Sequence, residues 1–364
     1  MSGVPLARMY IDDEMRNAAM EVLNSGKWIK GQHSKLFANE FAEYCGAKAG
    51  VTCSNGSVAL IAALRLLDVG VGDEVLVPSH TYIASATAIN HVGAEPVFIE
   101  VGSDFTADSN SLLDAITSKT KAAIMVHLYG QPIQQEIVNI LEKENIPLIE
   151  DCAQAHGAKL NGNSIGSLGA LATFSFFPSK NMGVGGDGGM ILTNREDLIE
   201  PMKIIVDHGR STKYENIIFG TNWRMSEIQA AIGRVQLKHL PEWVEKRQVI
   251  AERFHQSFSG LQTIDLPIVR KNVEHAYHLF VIQVNNRNDF MKHLKENGVE
   301  SGIHYPIPCH KQPVYSYHPQ HTVDSLKNTE KLVHRIVSIP IHPLHTEEEI
   351  KRVINAVLSY SEER

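Results

Sequence analysis

The sequence predicts an α/β fold: a large domain with a mainly parallel sheet sandwiched by helices, followed by a smaller C-terminal α+β domain. Three observations carry this. Short β-branched runs alternate with amphipathic stretches through the first three-fifths of the chain, as βαβ units do. The alternation ends after one long helical pattern, where strands and helices follow in a looser order. A chain of 364 residues is also more than one small core organises.

In chain order, strands are read at Val75–Pro78, Glu95–Ile99, Ala122–Val126 and Ile146–Ile149, each closed by turn residues. Helical spacing covers Ser57–Leu67, Ile83–His91, Ser111–Ile116 and Ile133–Asn145. Leu171–Phe176 and Met190–Thr193 add two strands flanking a loop. The long helical pattern starts at Ser226 and runs through the Arg247 region, with Ile228, Ala231, Ile232, Val235 and Leu237 on its apolar face. Beyond it come a strand at Tyr277–Val284, a helix at Arg287–Asn297, and Val337–Pro340 before a helix at Thr346–Tyr360. The change of texture sets the domain boundary near residue 246, with a large domain over 1–245 and a small one over 246–364.

Composition narrows the function classes. A net charge of −7 argues against general affinity for nucleic acid or anionic membrane, so any anion must be held by a local site. Cys45, Cys53, Cys152 and Cys309 are scattered without C-x-x-C spacing, as in a reduced intracellular protein. Neither an apolar signal core nor a run of 18 apolar residues occurs, so the cytoplasm is the expected address.

Chemistry concentrates in a few segments. Ile149-Glu150-Asp151-Cys-Ala-Gln154-Ala-His156-Gly157 places an acid at a strand end, where parallel sheets bind ligands. Such a carboxylate can pair with a protonated ring nitrogen and keep the ring an electron acceptor, or it can cap a following helix. Thr173-Phe-Ser175-Phe-Phe-Pro178-Ser179-Lys180-Asn181 carries a lysine beyond a Pro-containing turn. Held there and partly desolvated, an amine can deprotonate and attack an aldehyde. Most lysines are solvated surface charges, but this one follows Asp151 by 29 residues (180 − 151), which puts both at one end of the same sheet. Ser54-Asn55-Gly56-Ser57 opens an apolar helix, so free N–H groups, the helix dipole and the Ser57 hydroxyl could cradle a phosphate, with Ser175 as a further donor. An ordinary capped helix is the alternative. Tyr82, at the end of Pro78-Ser-His80-Thr81-Tyr82, could stack on a ring or fill the core.

Two other patterns lead nowhere. Gly183-Val-Gly185-Gly-Asp-Gly188 spells G-x-G-x-x-G but leads into a strand, where a dinucleotide site needs a helix. His318-Pro-Gln-His321 lacks carboxylate or thiolate partners, so no metal is expected despite 18 histidines.

With these residues stand further markers in order: Ser25-Gly-Lys-Trp-Ile-Lys-Gly31, Val126-His-Leu-Tyr-Gly130, Gly186-Asp-Gly-Gly189, Asn222-Trp-Arg-Met-Ser-Glu-Ile-Gln229 and Gly302-Ile-His-Tyr-Pro306. Together they resemble the DegT/DnrJ/StrS-type sugar aminotransferases, pyridoxal-phosphate enzymes of fold type I that aminate nucleotide-linked keto sugars. The resemblance runs from about Gly26 to Tyr360. It implies pyridoxal 5'-phosphate bound as a Schiff base to Lys180, with Asp151 on the pyridine nitrogen, Gln154 near the ring hydroxyl and Tyr82 stacked on the ring. It implies phosphate contacts from Gly56, Ser57 and Ser175, and a homodimer with shared active sites in which Asn222 reaches the neighbour's phosphate. Arg224, His304 and Tyr305 match positions lining the pocket for the nucleotide sugar or the amino-acid donor, which by likeness is L-glutamate. From the residues alone, Asn222 reads equally as a helix cap and His304 as a loop residue.

Many relatives carry Gly-Thr where this chain has Gly56-Ser57, and the hydroxyl survives. Relatives that dehydrate replace the lysine with histidine, so Lys180 favours transamination. The Ser175–Lys180 segment is nearer to 3-amino enzymes and Ser54–Ser57 to some 4-amino ones, which leaves the ring carbon open. Rival readings are a cyclitol-type ketone substrate, an NAD-dependent oxidoreductase and a non-catalytic cofactor-binding sensor.

Overall fold

A computed structural model describes residues 3–316, 321–322 and 326–362. The chain opens with α1 (Asp13–Ser25), where the Met15 N–H donates to the capping Asp12 carboxylate at 2.8 Å, and α2 (His33–Cys45). It then alternates through β1 (Ala49–Cys53), α3 (Gly56–Leu66), β2 (Glu74–Pro78), α4 (Ile83–His91), β3 (Glu95–Ile99), α5 (Ser109–Ala115), β4 (Thr120–Val126), α6 (Gln135–Lys143) and β5 (Leu148–Asp151). A small hairpin, β6 (Lys159–Leu160) and β7 (Asn163–Ser164), precedes β8 (Leu171–Ser175), β9 (Gly189–Thr193), α7 (Glu196–Ile205) and the long α8 (Glu227–Phe258).

The main sheet has the order β1-β9-β8-β5-β4-β2-β3, extended by a short β13 (His321–Thr322) beyond β3. From β8 to β13 every neighbouring pair is parallel; β9 alone runs against both β8 and β1. The expected α/β sandwich with a mainly parallel sheet is therefore present. Its central strands read as continuous apolar runs because both faces are covered. Alternate residues divide between the faces: Val75, Val77 and Phe98 pack with α3, α4 and α7, while Leu76, Val97 and Ile99 pack with α5 and α6. Over β8 and β9 that second cover passes to α2 and α8, through Phe37, Phe41, Phe174 and Leu240.

After α8 come β10 (Ile264–Asp265), β11 (Val273–Glu274), β12 (Phe280–Val284), α9 (Arg287–Glu296), α10 (Lys327–Leu332), β14 (Ile336–Ile339) and α11 (Glu347–Glu362). β10, β12 and β14 form a separate antiparallel sheet. The strand expected from Tyr277 begins only at Phe280, because Tyr277 itself has φ 44. The last turns of α8 bury Ile250, Ala251, Phe254 and Phe258 in the core of this second sheet, while its first half belongs to the main one. Residue 246 lies inside that helix, so a continuous helix joins the two cores.

A second seam joins them where residues 127–131 dock on 275–279. The Ala276 N–H donates to the Gly130 carbonyl at 2.9 Å and the Leu279 N–H to the Tyr129 carbonyl at 3.3 Å. Gly130 sits at φ 103, and a Cβ on it would lie 2.8 Å from the Tyr277 nitrogen. Gly130→Ala should therefore cost about 2–3 kcal/mol, from strain and close contact together. An unchanged denaturant midpoint would contradict the seam.

Candidate active site

A cavity of about 590 Å³ opens at the C-terminal ends of β2, β4, β5 and β8, lined by residues from the starts of α3 and α4 and the turn after β8. Its first wall is the start of α3. The Val58 N–H donates to the Asn55 side chain at 2.9 Å, so Asn55 is the cap, one turn position earlier than the Ser57 start expected from sequence. As first-turn donors, the Gly56 and Ser57 N–H groups have no acceptor within the helix. A Cβ on Gly56 would sit 2.8 Å from the Ser175 Cβ, so the helix start is pressed against the end of β8. Two free N–H groups, two hydroxyls and the positive end of a helix dipole meet here. That combination can hold a phosphate.

Asp151 is the last residue of β5 and only 5% exposed. Its carboxylate accepts from the Ser85 hydroxyl at 2.7 Å and the Ala153 N–H at 3.1 Å. No helix follows it, so the capping alternative fails. Its neighbour Glu150, on the opposite side of the strand, is fully buried and accepts from the Gly166, Leu168 and Gly169 N–H groups at 2.9, 2.8 and 3.0 Å. His127 accepts the Ile133 N–H on Nδ1, so its Nε2 carries the proton and donates to Glu150 at 3.1 Å. Burial alone would raise Glu150; the His127 bond and backbone donors outweigh it and hold this acid below the usual carboxylate range. His127, Glu150 and Cys152 could face one metal ion, but the histidine nitrogens and carboxylate oxygens are committed to these bonds.

Lys180 closes a turn in which its N–H donates to the Phe177 carbonyl at 2.8 Å. Its part-buried side chain lines the same cavity as Asp151. Burial pushes the amine down to about 8, against the pull of the Asp151 charge. The turn is fastened behind: Asn181 donates to the Ala276 carbonyl at 3.0 Å, and the Gly183 N–H to Gln236 at 2.9 Å. The 183–188 glycines run straight into β9, so no dinucleotide-binding helix follows them.

Tyr82 immediately precedes α4 at its cap position, stands 55% exposed and has its ring centroid 5.6 Å from that of Tyr305. Gln154 accepts from the Tyr129 N–H at 2.8 Å and donates to the Tyr305 hydroxyl at 2.9 Å. Burial pushes the Tyr305 hydroxyl well up, so it keeps its proton.

Residues 9–358 match the DegT/DnrJ/EryC1/StrS aminotransferase family. The chain belongs to that family. It is 43% identical over 354 residues, covering 97% of this chain and 96% of the relative, to the dTDP-3-amino-3,6-dideoxy-α-D-galactopyranose transaminase of Aneurinibacillus thermoaerophilus. Among solved structures, Streptomyces venezuelae DesV in complex with a ketimine intermediate superposes with a TM-score of 0.94 at 36% identity, covering 100% of this chain and 99% of that one. NtdA of Bacillus subtilis, with bound cofactor PMP, superposes with a TM-score of 0.91 at 31% identity, covering 100% of this chain and 86% of that one.

In this aminotransferase the cavity brings together Gly56, Ser57, Tyr82, Asp151, Gln154, Ser175, Lys180 and Tyr305. Asn222, Arg224 and His304 are not in its lining. Asn222 bridges Asp207 through its backbone, and Ser226 with Gln229 forms the capping box of α8, so the capping alternative for Asn222 also fails. Arg224 pairs with Asp207, as do Lys30 and, at 2.7 Å, Arg210. Burial would raise Asp207, but those cations outweigh it and hold it far below the ordinary carboxylate range. The His304 Nδ1 pairs with the Ser338 hydroxyl at 2.8 Å. His318 lies outside the described residues. Sequence reasoning missed Ser85, which holds Asp151; its signal is its place three residues after Tyr82, on the same face of α4. It also missed Asn55, Phe177 and Asp187 in the lining.

The lowered amine gives a direct test. In cofactor-free protein, capture of a small aldehyde by Lys180 should rise with pH and reach half its maximum near pH 8. A free lysine would reach it above pH 10, near its ordinary value of about 10.4. Peptide mapping of the trapped adduct reads the profile, and a midpoint above 10 would contradict the desolvated placement.

Proposed function

We propose that the chain is a pyridoxal-phosphate-dependent transaminase carrying an amino group from an amino acid, L-glutamate, to carbon 3 of a nucleotide-linked keto deoxy sugar. One observation carries the reading: Lys180, Asp151 and the unpaired helix start at Gly56–Ser57 open on a single cavity. These groups fit the cofactor, offering an amine to its aldehyde, an acid to its ring nitrogen and a cradle to its phosphate. Gly56, Ser57 and Ser175 would hold the phosphate, Asp151 the ring nitrogen and Gln154 the ring hydroxyl, with Tyr82 offering its aromatic face to the ring.

When bound, the cofactor supplies an electron sink for a carbanion at the carbon that gains or loses nitrogen. Lys180 moves the proton. With an amine titrating near 8, it takes the proton from the amino acid's α-carbon as a base and, in the reverse stage, delivers one to the sugar carbon as an acid. Asp151 cannot swing, because Ser85 and the Ala153 N–H hold its two oxygens. Tyr305 keeps its proton to donate to a substrate oxygen.

Carbon 3 and a dTDP or similar nucleotide are supported by the activity for which the 43% identical relative is named and by the Ser175–Lys180 segment. Asn222 and Arg224, absent from their own cavity, complete that of a second copy in a homodimer. Tyr214, Ile217 and Phe219, exposed on the same segment, suit that contact. The large and small domains divide near residue 246. The cytoplasm fits four cysteines that are all free and buried; no described helix is long and apolar enough to cross a membrane.

Protein loaded with pyridoxal phosphate should be yellow, bleach with L-glutamate, and recover colour with a nucleotide-linked 3-keto sugar faster than with its 4-keto isomer. Lys180→Ala should abolish the bound-aldehyde absorbance and turnover, and a variant keeping both would overturn the assignment. Asp151→Asn should keep the cofactor but lose turnover by about 1,000-fold or more, since the ring loses its electron-accepting form.

A further inference from the structure

The segment Val126-His-Leu-Tyr-Gly130 has no part in the reading above, yet its tyrosine touches several parts of the site. Tyr129 is buried at φ 60, a conformation non-glycine residues adopt only when neighbours enforce it. That twist aims its backbone N–H at the Gln154 side-chain oxygen, 2.8 Å away, while its ring, edge-on to Phe105, carries the hydroxyl to two further partners. One is the carbonyl of His304, the other the His80 Nε2 at 2.6 Å.

The donors can be assigned. A carbonyl only accepts, so the phenol proton points to His304, and His80 must donate from Nε2. That leaves His80 Nδ1 bare, in agreement with its being buried without a partner. Burial also pushes His80 down to about 3, so it stays neutral at any working pH. The Tyr129 N–H likewise fixes the Gln154 amide: its oxygen is taken, so its NH₂ faces Tyr305 and donates at 2.9 Å. The Tyr305 hydroxyl then accepts from Gln154 and has its own proton left for the cavity it lines.

We infer that Tyr129 is a positioning residue that sets the direction of the Tyr305 hydroxyl. It closes a ring of bonds through Gln154 to Tyr305, along the chain to His304, and back to its own phenol. The Tyr305 proton is thereby aimed at an oxygen of the incoming keto sugar, and the orientation survives any rotation the side chain would otherwise make. The Ser338 hydroxyl anchors the same segment from the small sheet, through His304. The link to substrate rests on the transaminase reading above; the ring of bonds does not.

Tyr129→Phe keeps the aromatic packing and removes only the hydroxyl. It should keep the cofactor absorbance and raise KM for the keto sugar about tenfold, with a smaller effect on kcat. In a Tyr305→Phe background the same change should add less than about twofold, because the two act as one unit. Fully additive losses would overturn the inference. Amide hydrogen exchange over residues 302–306 should quicken about tenfold while 151–154 stays unchanged, and equal exchange in variant and parent would also overturn it. This second measurement needs no activity, so a parent without turnover defeats the transaminase reading and leaves the positioning decided by exchange. If Tyr129→Phe does not fold, His80→Leu, which withdraws the donor from the phenol, is read by the same exchange experiment.

Discussion

The site depends on the contact between the start of α3 and the end of β8. Gly56 allows it, since a side chain there would collide with Ser175. A start of α3 held off by that side chain would carry the Gly56 and Ser57 donors away from the lysine turn that follows β8. The contact is possible because β2, β4, β5 and β8 run parallel and deliver their C-terminal ends to one rim. An acid, an amine and an anion cradle then share a cavity.

Electrostatics divides the labour between neighbouring acids. Glu150 and Asp151 alternate across β5, and alternation alone sends one toward packed backbone and the other toward the cavity. Glu150 is saturated by three backbone donors and a neutral histidine, so it pins the 166–169 loop and does no proton work. Asp151 has two donors and faces open space, which leaves its charge available to a ligand. Lys180 feels the opposite pressures of burial and that charge, and the balance leaves an amine that can cycle between base and acid near neutral pH.

Much of this was legible in the sequence. The parallel core announced itself through β-branched runs between turns, and Asp151, Lys180 and Gly56–Ser57 through their places at strand ends and a helix start. Other features were hidden for physical reasons. α1 buries only Met15 and Val22, too few apolar positions to stand out among polar ones. Both Asn55 and Ser57 are good caps, and only the three-dimensional turn chooses between them. The role of Tyr129 comes from a left-handed backbone and partners as far away as His304, which spacing does not encode. Asn222 and Arg224 were tied to the site by resemblance alone; in one chain their partner is Asp207.

The most direct test of the shared cavity is to load the protein with pyridoxal phosphate, reduce it with borohydride and map the labelled peptide. A phosphopyridoxyl group on Lys180 alone, lost when Gly56 is replaced by a bulky residue, is the predicted result. Label on any other lysine, or Lys180 labelling indifferent to Gly56, would contradict the account.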